Sequence, residues 1–512
     1  TTIRNQQKQM IKQDIAASGN TDWTVNNNKA KGRKMVNDMK KLLLRAFNSE
    51  CDETIGKVKY NNIETSVRKI VKSAEQIQKL GTIMKELIRF SLPLILSGVL
   101  QQLYNWADAF IVGNVDGELS LSAIGVTSIP ISFFITTITG FTLGLSVLIA
   151  KNFGAKKQDS IPPVLAVFAV ILGGVFLLAA AVGSALSYPF MELLHTPADT
   201  IDLASGYIRI IFWGLPFLAI YNVYTATLRG LGDSRIPFLS ILVSSLINVL
   251  LDILFVAELR WGVLGAAAAT VLSQAIMTVF IVLYGTSKYP WLKSGYRKES
   301  FCGAVVRDGL RYGLPPMVQS SISALGSLVL QDFMNRFGTD TVTAITTAYR
   351  IDTLILLPIV NLGSGISTVT AHSHGAGDTI RTRKTLSAGT ILTLVVSAFL
   401  TGLVIPTGGK IIALFGAGTA AVAIGSAFFH RIAFFYPIFG LTTAFRGYLE
   451  GRGDLVYSSV AGLVSLAIRI IASYAMAPHF GNMTIAYAEM VSWVWLLVMY
   501  LFRLAAKKDD AL

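Results

Sequence analysis

Apolar residues in this chain fall into long unbroken runs, and the runs begin only after Lys85. Twelve of them follow: 86–112, 120–150, 162–190, 203–228, 236–257 and 262–285, then, after a basic link, 307–337, 341–371, 385–406, 419–447, 456–477 and 484–504. A helix needs about 20 apolar residues to cross a hydrocarbon core of about 30 Å, and each run supplies them. Barrel strands alternate apolar and polar residues over about ten positions, so continuous runs exclude an outer-membrane barrel. The pattern predicts an all-α polytopic membrane protein with twelve transmembrane helices. Residues 1–84 hold no run long enough to span and are rich in Lys, Asn and Gln. They read as a short cytosolic helical region, with amphipathic helices over 35–47 and 62–80 divided by Gly56 and the Asn61–Asn62 pair.

The chain repeats itself at an offset of 221. Gly230, Gly232 and Asp233 recur as Gly451, Gly453 and Asp454. Ala150, Gly154 and Ala155 recur as Ala371, Gly375 and Ala376; Gly117, Gly144 and Pro216 recur as Gly338, Gly365 and Pro437. Each copy holds six runs, and an even number returns the chain to its starting side. The expected architecture is two pseudo-symmetric six-helix lobes related by an axis along the membrane normal, with a cavity between them. The domains then read as a tail (1–84), a first lobe (85–285), a cytoplasmic link (286–305), a second lobe (306–506) and a short C-terminal tail (507–512).

Composition agrees: 53% of the 512 residues are hydrophobic, 14% are charged, and the mean hydropathy is +0.57. The formal net charge of +14 could suggest a nucleic-acid partner. Its distribution removes the need for one. Lys151, Lys156 and Lys157, Arg229 and Arg235, Lys288–Lys298, Arg381–Lys384, and Arg446 with Arg452 all fall in one alternate set of connections. Asp116, Glu118, Glu192, Asp199, Asp202 and Asp340 fall in the other. Positive connections stay cytoplasmic, which places both termini inside and the protein in a cell membrane as a multi-pass chain. Cys51 and Cys302 make no disulfide framework or metal-ligand spacing, and no signal peptide is expected.

Polar residues inside the runs are the candidates for chemistry. The run ILVSSLINVLLDILFV (241–256) carries Ser244, Asn248 and Asp252 four residues apart, one stripe on a helix. A carboxylate within the bilayer is expensive and is expected to face a water-filled cavity or a partner. Such a group can hold a proton, or hold Na⁺ with neutral oxygens completing the shell. Asp108 in the first run is a second acid, with Gln101 two turns before it, and Thr270 lies in the sixth run. The alternative is that both acids only pin helices by hydrogen bonding. At the repeat offset, Ser244, Asn248 and Asp252 become Ser465, Arg469 and Ser473, so the acid pair is a first-lobe feature. Arg350 and Asp352 in the eighth run read as a structural pair or cavity lining. Tyr104 and other lobe aromatics, among them Trp106 and Tyr207, could line a pocket for flat cations, with Gln101 and Asn222 among the cavity lining. Asp332 with Arg336 reads as a solvated helix pair, and His372 and His374 as part of a cytosolic turn.

LPLILSGVLQQLYNWADAFIVG (92–113), AIGV (123–126), GLSVLIAKNFGAKK (144–157), LRGLGDSRIP (228–237) and AITTAYRIDTLILLPIVNLGSGIST (344–368) together resemble the multidrug and toxic compound extrusion (MATE) family. The resemblance covers about 85–506. It implies an antiporter that exports organic cations and other xenobiotics against Na⁺ or H⁺. The first-lobe ion site of the DinF-like branch resembles Asp108, Asn248, Asp252 and Thr270 here. The second-lobe Glu and Asp used by other branches have no match, since Asp332 and Glu489 stand elsewhere. The stretch 42–81 resembles an uncharacterised helical domain found beside GIY-YIG nuclease modules, without a nuclease motif. The alternative within transport is a flippase for lipid-linked oligosaccharides from the same superfamily. An enzyme is not expected, because no HExxH or GxSxG stands in the spans. No cofactor beyond the coupling ion, and a monomeric state with a small cationic substrate as partner, complete the expectation.

Overall fold

The computed structural model describes residues 63–414 and 418–506, with side chains from residue 80. The chain divides into two compact units, Thr1–Glu86 and Leu87–Leu512. In the first, residues 63–86 are helical, while the helix expected over 35–47 lies outside the described residues, as does the tail 507–512.

The second unit is built of helices. In order they are α1 (Ile63–Val115, in this unit from Leu87), α2 (Glu118–Gly154), α3 (Ile161–Ala185), α4 (Ser187–Leu193), α5 (Ile201–Phe212), α6 (Leu215–Gly230), α7 (Arg235–Asp252) and α8 (Gly262–Lys288). After the link come α9 (Gly303–Asn335), α10 (Thr339–Gly375), α11 (Thr379–Leu414), α12 (Thr419–Ile432), α13 (Tyr436–Gly451), α14 (Leu455–Phe480) and α15 (Thr484–Ala506). All twelve apolar runs are helical, as the pattern predicts.

Length and hydropathy alone pick out eight spans, or nine with the bent α5–α6 pair. The stretch Leu455–Ala506 counts as one of them, yet it holds α14 and α15, which turn back at Gly481. α1 and α9 fall short because polar or small residues dilute them: Gln101, Gln102 and Asn105 in one, Gly313, Pro315, Pro316 and Gln319 in the other. Two spans are interrupted at matching places, the first by a bend and the second by a 3-10 turn, Ala433–Phe435, within one continuous span. α5 and α6 meet at 42°, and Pro216 stands in the first turn of α6; Pro437 stands in the first turn of α13. These prolines, which the sequence places inside spans, start new helices, where a missing N–H costs no hydrogen bond. Pro93 and Pro358 stay inside α1 and α10.

Internal symmetry is visible in single bonds. Ser244 Oγ donates to the Ser273 carbonyl (3.1 Å), tying α7 to α8; Ser465 Oγ donates to the Ser492 carbonyl (3.0 Å), tying α14 to α15. The loops before α7 and α14 pass through Gly232 (φ +83°) and Gly453 (φ +87°), a left-handed turn open to glycine. Asp233 binds Lys288 Nζ at 2.6 Å, and Asp454 binds Arg503 Nε at 2.7 Å, so each turn is held to the end of its lobe's last helix.

The two halves meet along α2, α9 and α10. A Cβ on Gly154 would collide with the His372 carbonyl, and a Cβ on Gly375 would collide with the Lys151 carbonyl. These contacts are reciprocal at the repeat offset, as a two-fold axis between α2 and α10 requires. His372, which the sequence assigns to a turn, sits in the last turn of α10. Its Nε2 meets the Gly230 carbonyl at 2.7 Å, and its ring packs on Phe153. The opposite halves of α2 and α10 are open: Ser122, Ser128, Ser132 and Thr139 on one, Thr343 and Thr353 on the other, are all exposed. The two helices therefore close on each other at the basic end, and exposed hydroxyls stand toward the other.

Two tests follow from these contacts. Burial alone would raise the Asp233 carboxyl, but Lys288 and the Arg235 and Tyr289 donors outweigh it and hold the group below the usual carboxylate range. Its contribution is therefore full above about pH 4 and is lost as pH falls through the lowered value. Asp233→Asn should lower the melting temperature at neutral pH and flatten its acid-side decline. For the closure, a cysteine at the buried position Ala371, with Cys51 and Cys302 replaced by serine, should resist an impermeant maleimide until Gly154→Val is added. Unchanged labelling would show that the glycine contacts do not seal that end.

Candidate functional site

The first lobe brings Asp108 of α1 to Asp252 of α7. Their carboxyl groups lie close enough for each charge to act on the other. Asp252 is fully buried, Asn248 is 1% exposed, and Asp108 is half-buried. Asn248 sits one turn before Asp252 on the buried face of α7, beside Ser244 and Ser245. Both polar atoms of Asn248, both carboxyl oxygens of Asp252 and Oδ1 of Asp108 lack any hydrogen-bond donor or acceptor partner. A buried polar atom left unmatched costs about 1–3 kcal/mol, so five in one place call for an occupant. Two carboxyls this close can bond each other only if one carries a proton; two carboxylates need a cation between them. After Asp252 the helix widens into a π turn, Ile253–Glu258, a form of helix that often marks functional positions.

The other expected residues divide. Thr270 stands half-buried on α8, which packs on α7, but its hydroxyl hydrogen goes to the Ala266 carbonyl (2.9 Å) and only its lone pairs remain. Tyr104 lies near enough to Asp108 to feel its charge. Tyr207 of α5, read from the sequence as general aromatic lining, is buried within electrostatic reach of both acids and of Tyr104. Gln101 is exposed on α1. Asn222 is bonded to the Leu218 carbonyl of its own helix (2.8 Å), away from the acids.

In the second lobe the expected Arg350–Asp352 pair does not form. Residues two apart on a helix point in different directions. Arg350 is exposed on α10, whereas Asp352 is buried and accepts a hydrogen bond from the Tyr436 hydroxyl. A charge cluster that the sequence does not reveal lies beside it: Arg469 Nη2 donates to Glu489 (3.0 Å) and to the Tyr349 hydroxyl (2.8 Å). Asp332 and Arg336 form a 3.6 Å pair with both side chains mostly exposed, as expected of a solvated helix pair. Among the described residues no three His, Cys, Asp or Glu side chains gather as a metal site.

A family model described as MatE matches residues 93–254 and 315–475, one match in each half of the repeat. The chain belongs to the MatE family. It is therefore a transporter and not an enzyme. "Probable multidrug resistance protein YpnP" of Bacillus subtilis is 28% identical over 391 residues, covering 75% of this chain and 86% of that protein. "Multidrug export protein MepA" of Staphylococcus haemolyticus is 23% identical over 400 residues, covering 76% and 87%. A solved structure titled as the outward-facing conformation of a multidrug resistance MATE family transporter of the MOP superfamily superposes with a TM-score of 0.75. It is 21% identical, covers 83% of this chain and 97% of that one, and shows the shared fold. A second model, the SNIPE associated domain, matches residues 1–91 and overlaps the 42–81 stretch.

Removing one of two adjacent buried acids relieves an unmatched charge. Asp252→Asn should therefore raise the melting temperature of this MatE protein in Na⁺-free buffer at neutral pH by a few degrees, the equivalent of about 1–3 kcal/mol. A lowered melting temperature would mean that Asp252 pins helices and does not wait for an ion.

Proposed function

We propose that the protein exports drug-like organic cations and other xenobiotics in exchange for Na⁺ or H⁺, with Asp108 and Asp252 as the coupling site. The observation that carries this reading is the buried acid pair with the unspent Asn248 amide. Thr270 offers a lone pair to the same site from α8. The relatives' names, multidrug resistance and multidrug export, support the substrate class. The repeat supports lobes at 85–285 and 306–506 joined by the link 286–305. The closed end of α2 and α10 carries Lys151, Lys156, Lys157 and Arg381–Lys384, which makes it cytoplasmic and makes this a state open to the outside.

In that state a cation reaches Asp108 and Asp252 from the cavity and relieves their repulsion, which drives bound substrate off on the outer side. Rocking of one lobe against the other then alternates access. The protein works as a monomer in the cell membrane with both termini in the cytoplasm, and it needs no cofactor besides the coupling ion.

The deciding measurement uses proteoliposomes with a panel of organic cations under an imposed Na⁺ or pH gradient. Asp252→Asn and Asp108→Asn should fall to the rate of empty vesicles. Export by Asp252→Asn at the parent rate refutes the assignment. Arg350, exposed on the hydroxyl face, favours the flippase alternative; gradient-independent movement of an anionic lipid-linked saccharide in the same vesicles would establish that instead.

A further inference from the structure

The second lobe contains a cation site that the protein itself fills. Its register follows from the duplicated serine bonds. Ser244 and Ser465 are 221 residues apart, but their carbonyl partners Ser273 and Ser492 are 219 apart. The helix facing the polar stripe has therefore slipped by two residues between the lobes. With that slip, Arg469 takes the place of Asn248, and Glu489 takes the place of Thr270. The oxygen-lined seat of the first lobe recurs with a guanidinium already in it.

The surroundings fit this. Arg469 Nη2 lies 3.0 Å from Glu489 Oε2 and 2.8 Å from the Tyr349 hydroxyl, and its plane stands over the Tyr349 ring at 5.7 Å. Its side chain is 23% exposed and that of Glu489 10%. Asp352 faces the same group, near enough for the charges of Glu489 and Arg469 to act on it, and is held by the Tyr436 hydroxyl. Ser473, at the place of Asp252, spends its hydroxyl on the Arg469 carbonyl (2.8 Å). Two buried acids around one base form the coordination shell of a cation, supplied by α10 and α15 and capped by the tyrosines of α10 and α13.

We infer that Glu489 and Asp352 form a monovalent-cation site, selective for guanidinium and ammonium groups and accessible to Na⁺, that Arg469 occupies as a tethered ion. The tethered ion keeps the second lobe in the cation-bound form throughout, so the exchangeable ion binds in the first lobe alone. This comparison of lobes rests on the coupling-site reading of Asp108 and Asp252, but the second-lobe site stands on its own contacts and can be tested separately.

The test is the melting temperature of the purified full chain in detergent, titrated with millimolar methylguanidinium chloride or NaCl against choline chloride. In the Asp252→Asn background the first-lobe response should be gone. Adding Arg469→Ala should create a new response, a rise of several degrees with methylguanidinium and a smaller one with Na⁺. Adding Glu489→Gln should abolish it again, and Arg469→Lys in place of Ala should give none, because the ammonium fills the seat. Should the Ala variant lack a cooperative transition, Arg469→Gln serves in its place. A response already present in Asp252→Asn refutes the first-lobe reading, and the inference is then judged by the increment on removing Arg469. No increment with either Ala or Gln overturns it.

Discussion

Two acids held together inside an apolar bundle set the terms for the rest of this molecule. At an effective dielectric of about 20, unit charges 4 Å apart repel by about 4 kcal/mol, more than a typical hydrogen bond returns. Among the described residues nothing around Asp108 and Asp252 offsets that: Asn248 is uncommitted, Thr270 bonds its own helix, and Tyr207 and Tyr104 bring hydroxyls, not cations. The pair is tolerated because the packed first-lobe core holds its helices, from Ile138 and Phe141 through Tyr207 and Phe212 to Val256 and Met277. Under the proposed coupling, a site that stays unsatisfied until an ion arrives stores free energy that transport can use.

The second lobe solves the same problem differently. Its helices repeat the same proline-started helix, the same glycine turn and the same serine-to-carbonyl bond. Its buried acids, however, are neutralised from within by Arg469. A covalently tethered cation cannot leave, so this lobe has no reason to change with ion occupancy. Symmetric architecture thus carries asymmetric charge. The two halves approach most closely where α2 and α10 cross. Gly154 and Gly375 let two backbones touch at the basic end, while serines and threonines line the parted halves. Any larger residue at either glycine would force the backbones apart at the point where they must meet.

Much of this was written in the sequence. The twelve runs placed the helices, though not all their ends or breaks, because a spanning helix must be long and apolar whatever it packs against. The repeat offset gave the two-lobe plan, and i,i+4 spacing placed Asn248 and Asp252 on one face. Three things needed the tertiary structure. Pro216 and Pro437 look like kinks in a string of letters, yet each opens a new helix, because the preceding turn breaks first. Arg350 and Asp352 look like a pair because they are neighbours in sequence, but helix rotation leaves one exposed and sends the other to Tyr436. The Arg469–Glu489 bridge is hidden by a two-residue slip between α14 and α15 that only cross-helix bonds reveal. Periodicity fixes what one helix presents. Which helix receives it depends on packing between segments distant in the chain, and for that reason Asp108 and Asp252, 144 residues apart, could be named from sequence but joined only in the fold.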